Sequence, residues 1–213
     1  MSISSIPGVQ FISPSHRCYQ HVLDFVVATS SIGCYMSAYN NTPVTTFAPT
    51  LVNGKPQYPT ASFQGQSSGR NVAFIPDDLL RSVIAHSKRD EPIAYVVSPT
   101  FQQLAGQATD AIAQTFEGLA QAMLTGYYET NLSEIERVHG KRKQGAWPDV
   151  LQFMAIVRDT LSHGGVIHMF PSVRPATYFG HTYSHTSNGR KIIHNDLSCA
   201  DIFFLMLDAD AAF

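Results

Sequence analysis

The sequence predicts a mainly α-helical single domain over residues 1–213, a bundle of four to five helices. A small β-hairpin is expected near the C-terminus, and an irregular or hairpin insertion around residues 42–75. Three observations lead there. Apolar residues recur at three- and four-residue steps in residues 99–128 and again in 147–163, the period of a helix with one buried face. Boundary residues stand at the ends of the second stretch, Pro148-Asp149 at its start and Gly164-Gly165 at its end. Residues 42–75 instead hold Pro43, Pro49, Pro56 and Pro59 among Gly54, Gly65 and Gly69, with little period.

The elements come in this order. Residues 1–14, with Pro7, Gly8 and Pro14, read as an irregular lead-in. A first helix starts after Ser13 or Ser15 and runs to about Tyr39, on a broken stripe of Val22, Phe25, Val26, Ile32 and Tyr35. Asn40-Asn41-Thr42-Pro43 ends it. Asn53-Gly54 is a turn signal that would join short strands at 45–51 and 55–58. Pro76-Asp77-Asp78 opens a short helix to about residue 87, proline and carboxylates both suiting a first turn. Residues 93–97 read as a short strand or a linker.

The long helix over 99–128 rests on Phe101, Leu104, Ala108, Ile112, Phe116, Leu119 and Met123, and its many alanines allow close helix approach. Residues 131–145 read as a polar connection with at most a helical turn. The helix over 147–163 carries Val150, Leu151, Met154, Val157 and Leu161 inward. Beyond it, 177–185 reads as a strand, Asn188-Gly189 as a type I′ turn and 190–194 as the return strand. Ser198-x-x-Asp201 resembles a capping box and opens a last helix over 199–212.

Bulk properties narrow the function classes. Only 14% of residues are charged, against about a quarter in an average chain, and the net charge is -2. There is no global basic field for long nucleic acid, so any RNA is met at a local site. A weakly charged surface favours association, and a homodimer is expected. Cys18, Cys34 and Cys199 have no zinc-finger spacing and read as reduced core thiols of a cytoplasmic protein. Residues 1–14 lack a signal-peptide pattern, and the apolar runs at 22–28 and 202–207 are too short for a bilayer, so no membrane is expected.

Gly65-Gln66-Ser67-Ser68-Gly69 lacks the lysine and following helix of a phosphate-binding loop, and the serines and cysteines are read as outside any nucleophile elbow. His168, His181, His185 and His194 read as polar faces of the tail. His181 and His185 lie about 13 Å apart along a strand, too far for one ion. No metal and no cofactor are expected.

The chemistry concentrates in Arg158-Asp159-Thr160-Leu161-Ser162-His163-Gly164-Gly165. Asp159 and His163 share a helix face; Arg158 and His163, five apart, do not, unless the last turn loosens at the glycines. Asp159 would then fix the imidazole tautomer. Imidazole moves protons and guanidinium holds phosphate bidentately, a combination suited to phosphoryl transfer. A helix-end histidine satisfied by the dipole, with Arg158 in a surface ion pair, is the plain alternative. Arg137, Lys141, Arg142 and Lys143 form a basic cluster just before this helix, flanking an RNA groove or simply solvated.

Arg158-Asp159-x-x-x-His163 at the end of an amphipathic helix, followed by Gly-Gly, resembles the signature of the HEPN family. The tail, a hairpin with Asn-Gly and then an acidic-capped apolar helix, is similar to the segment that comes after that motif in prokaryotic members. The resemblance covers roughly residues 99–213; residues 1–98 carry no such signature. It implies an all-α bundle that dimerises with paired motifs. It also implies metal-independent endoribonuclease activity of toxin or phage-defence type, or a scaffold where the motif has degraded. Partners implied are RNA and an antitoxin or other protein. Carried over, Arg158 stabilises the charged phosphorane, His163 is the acid–base group and Asp159 orients it. Asp at 159 departs from the commoner Asn. A non-catalytic HEPN-like interaction module is the alternative function. An open motif favours the enzyme, a sealed one the module.

Overall fold

The computed structural model describes residues 8–39, 50–52, 55–57, 62–75, 91–98, 110–142, 147–193 and 195–212. Among them the order is β1 (Val9–Ile12), α1 (Tyr19–Tyr39), β2 (Thr50–Val52), β3 (Lys55–Gln57), β4 (Ser62–Phe63), β5 (Asn71–Ile75) and β6 (Ile93–Ser98). Then come α2 (Asp110–His139), α3 (Asp149–Leu161), β7 (Ala176–Tyr178), β8 (His181–Tyr183), a 3-10 turn at His185–Ser187, and α4 (Cys199–Asp210).

The expected mainly α bundle is corrected to a mixed α/β fold. An antiparallel four-stranded sheet, ordered β1-β6-β5-β4, stands beside the helices. β1 falls in the predicted lead-in, β4 and β5 in the predicted insertion. Register runs Ile12 to Ile93 and Val9 to Val96 on one side, and Phe74 to Tyr95 and Val72 to Val97 on the other. Val72, Phe74, Ile93, Tyr95 and Ile12 face the main core, while Ala73, Ile75, Ala94 and Val96 are buried on the opposite face with Val9 against them. A strand buried on both faces shows no apolar–polar alternation, which removes the period a strand reading relies on.

The helices cover the first face. Phe203 of α4 stands edge-on to Phe74 at 5.0 Å and to Tyr95 at 5.5 Å. Phe25 of α1 meets Phe74 at 6.0 Å, and Phe116 of α2 meets Phe63 at 5.7 Å. α4 is the central helix. Ile202, Phe203, Phe204, Leu205 and Met206 are all buried, a run that no single stripe describes. At about 1.5–3 kcal/mol per fully buried large side chain, this run is a large contribution to the core.

Other boundaries shift. α2 continues through the predicted polar connection to His139, since Tyr127, Asn131 and Ile135 keep a buried face while Glu134 and Arg137 pair on the surface at 2.6 Å. The C-terminal hairpin turns at Phe179-Gly180, both at positive φ (50° and 78°), so Tyr183 pairs with Ala176; of the return strand expected at 190–194, residue 194 lies outside the described residues. Asn188 has φ -55° and ψ 138°, Gly189 has φ 84°, and Arg190 N–H donates to Ser187 O. That is a type II turn, not type I′. β2 and β3 form the short hairpin expected near 45–58. The helix expected over 76–87 lies outside the described residues. Cys18 and Cys199 are free and buried, and burial pushes both thiols up to about 12. No helix among the described residues is long and apolar enough to cross a membrane.

Sheet and helices are joined at the start of α4. Ser198 and Asp201 form the reciprocal capping box, Ser198 accepting from Asp201 N–H and Asp201 from Ser198 N–H at 2.9 Å. The same carboxylate, buried, accepts backbone N–H groups of the β4–β5 loop: Gln66 at 2.8 Å, Ser67 at 3.2 Å and Ser68 at 2.8 Å. Burial alone pushes the Asp201 carboxyl up, but the bonds from Ser68 and Ser198 outweigh it and hold the pKa below the ordinary value. A depressed carboxylate contributes stability that is complete above the unfolded pKa of about 3.9 and is lost as pH falls through the folded value. Asp201→Ala leaves these donors without their acceptor. At about 1–3 kcal/mol each, the loss is a large share of a typical domain's stability. Urea titrations of wild type and Asp201→Asn from neutral pH to about pH 2 check the sign: the variant is less stable at neutral pH and shows a flatter acid limb.

Candidate functional site

α3 ends as its sequence dictates. Gly164 and Gly165 take positive φ (69° and 80°), and their N–H groups return to Leu161 O at 3.2 Å and Thr160 O at 3.0 Å. This Schellman-type closure presents His163 on the surface at the helix end. The chain then runs extended through Ile167, His168, Met169 and Phe170. Ile167 and Met169 are buried, so His168 and Phe170 point outward, Phe170 with 76% of its surface exposed. The Asn188-Gly189 turn pins this run. Asn188 Oδ1 accepts from Met169 N–H at 2.6 Å, its Nδ2 donates to Met169 O at 3.0 Å, and Gly189 N–H donates to Ile167 O at 3.0 Å.

An open pocket of about 150 Å³ lies between the α3 end and this run, with Arg142, Arg158, Asp159, His163, His168 and Phe170 on its wall. Arg158 sits beside the ring of Tyr128, 5.6 Å from the centroid, and pairs with Glu129 of α2 and with Asp159 at 3.2 Å. Its Nε is buried without a partner. Arg142 donates to Asp159 at 2.7 Å and to Gln152 Oε1 at 3.3 Å. Both carboxylate oxygens of Asp159 are thus taken by arginines, and no hydrogen bond links Asp159 to His163. The His163 ring instead meets His168, 5.4 Å between centroids and 70° between planes.

Of the residues singled out in the sequence, Arg158, Asp159, His163 and Arg142 reach one pocket. Asp159 does so as a holder of arginines and not as the orienter of His163. Arg137 is engaged by Glu134 away from the pocket, Lys141 is exposed, and Lys143 lies outside the described residues. Among the described residues the basic cluster therefore contributes one side chain, Arg142. His168, which in the sequence reads as part of a polar tail face, stands on the pocket wall. Its place there depends on the pinned run, and the only local signal is the buried–exposed alternation from Ile167 to Phe170.

One further correction concerns Ser67. Gly65-Gln66-Ser67-Ser68-Gly69 does have Gly-x-Ser-x-Gly spacing, and Ser67 Oγ lies 2.6 Å from His181 Nε2. The setting differs from a nucleophile elbow: the loop joins two strands, its N–H groups face Asp201, and Ser67 Oγ also donates to Asp196 O. The donors that would stabilise an oxyanion are already occupied by a carboxylate. Among the described residues no three His, Cys, Asp or Glu side chains converge as a metal-holding group.

Comparison of the chain with protein-family models, with curated proteins and with solved structures found no match. Asn188→Ala removes both bonds to Met169 and is expected to cost about 1–3 kcal/mol in urea unfolding, with faster hydrogen exchange at the Met169 amide than at α3 amides.

Proposed function

We propose that the protein is a HEPN-like, metal-independent endoribonuclease whose pocket holds Arg158 and His163. One observation carries the reading: an exposed imidazole and a pre-positioned guanidinium open onto the same pocket, and the motif is not sealed in the core. Fixed groups that meet a developing charge need no reorganisation during reaction. His163 takes the 2′-hydroxyl proton of RNA, and Arg158 holds the phosphorane. Phe170 at the rim offers a face on which an unpaired base stacks, which favours single-stranded RNA. The four-stranded sheet lies within residues 9–98, outside the region of resemblance, and packs against α2 and α4 of that region, so the reading rests on the motif and not on an all-α bundle. With this reading go a cytoplasmic homodimer, a toxin or phage-defence role, and an antitoxin or other protein as partner.

A second reading, a non-catalytic HEPN-like interaction module, is favoured by one feature. Arg142 and Arg158 are balanced by Asp159 and Glu129, so the pocket carries no excess of cations.

Incubation with mixed single-stranded RNA in excess chelator separates the two. Wild type is expected to cleave and leave cyclic phosphates, with DNA untouched for want of a 2′-hydroxyl. His163→Ala lowers the rate about 10²–10⁴-fold, and Arg158→Ala about 10²–10³-fold. Cleavage that survives His163→Ala, or stops with chelator, sinks the mechanism, and an inactive wild type favours the module. Phe170→Ala weakens binding of a single-stranded oligoribonucleotide by about 1–3 kcal/mol in a direct titration. An unchanged affinity removes the stacking role.

A further inference from the structure

Cleavage of RNA by its own 2′-hydroxyl moves two protons at opposite ends of an in-line arrangement. One leaves the attacking 2′-oxygen, and another must reach the departing 5′-oxygen. A single imidazole cannot meet both oxygens at once, so a second proton-transfer group is needed. The pocket wall limits the choice. Arg142 and Arg158 do not release a proton in proteins. Both carboxylate oxygens of Asp159 are taken up as acceptors by those two arginines, at 2.7 and 3.2 Å. The Thr160 hydroxyl donates to Ile156 O at 2.8 Å and that of Ser162 to Arg158 O at 3.2 Å, and neither titrates near neutrality. Among the described residues the remaining group is His168, exposed, on the same wall and in ring contact with His163.

From this geometry we infer that His168 is the general acid of the pocket and His163 its general base, so that one subunit holds both proton-transfer groups. The inference rests on the ribonuclease reading above. In the step, the 2′-O–H proton goes to His163 and the 2′-oxygen forms a bond to phosphorus. The P–O5′ bond breaks with its electron pair on O5′, and the His168 imidazolium proton goes to that oxygen. The products are a 2′,3′-cyclic phosphate and a 5′-hydroxyl. The resulting neutral His168 and protonated His163 are reset by exchange with water. The segment supporting His168 is stiff where it needs to be: Ile167 and Met169 are buried, and both are bonded to the Asn188-Gly189 turn.

The test compares two substrates. One is a short oligonucleotide with a single ribonucleotide at the cleavage position. The other is the same molecule with sulfur in place of the 5′-bridging oxygen, whose thiolate departs without a proton. On the ordinary substrate His168→Ala and His168→Gln are expected to slow cleavage about 10²–10⁴-fold. On the sulfur substrate both recover to about the wild-type rate, while His163→Ala, lacking the base, stays slow. His168 is exposed, so neither change disturbs the core, and matching unfolding curves check this. Normal cleavage of the ordinary substrate by His168→Ala overturns the inference and leaves the ribonuclease reading standing. A loss that sulfur does not restore overturns the acid role. A wild type that cleaves neither this substrate nor mixed single-stranded RNA overturns both.

Discussion

The carboxylate of Asp201 gathers N–H groups from two parts of the chain, its own helix start and the loop that returns from β4 to β5. An ionised group can be buried only where donors replace its water, and here the donors are backbone atoms of the segment that must be docked. The docking sets the neighbouring contacts. Arg70, the last residue of the loop, reaches Asp208 at 2.6 Å and lies over Phe204 at 4.1 Å, while Tyr178 of β7 donates to the same Asp208. Ser67 meets His181 of β8. A single buried acid thus aligns the sheet, the central helix and the C-terminal hairpin.

The pocket obeys the opposite electrostatic rule. Its arginines are matched by carboxylates of the protein itself. They are therefore held in place, but their charge is partly spent. On the proposed ribonuclease reading, a phosphate competes with Glu129 and Asp159 for Arg158, which lowers affinity for the ground state while leaving the guanidinium aimed. The histidines stand outside that network. They are placed by backbone, His163 by the Gly164-Gly165 closure and His168 by the Asn188 clamp, and their rings meet each other at the pocket.

Much of the helical layer is legible because its signals are local. α1 starts a few residues later than the sequence suggests and ends at Tyr39, α3 ends at Leu161 before the glycines, and the Ser198–Asp201 box opens α4. Of the sheet, only β6 is legible, as the short strand or linker read at 93–97. β1 and β6 are paired across some eighty positions of sequence, β4 has two residues, and β5 shows no alternation because both its faces are buried. The true end of α2 is hidden by polar composition, which masks Ile135. The hairpin turn is misplaced by the sequence because Asn-Gly is the stronger local signal, whereas Phe179 is carried at positive φ by contacts with Tyr178 and Arg70.

By itself the sequence determined where α3 stops, which residues cap α4, and that Arg158 and His163 stand at one helix end. Each of these is settled within a turn or two of chain by backbone geometry and hydrogen-bond supply. Only the tertiary structure decided that a sheet exists, that Asp159 serves arginines from two segments, and that His168 faces His163. Those outcomes depend on which distant groups share a buried space. Pairing, desolvation and charge matching there are properties of the assembled fold, and no local pattern carries them.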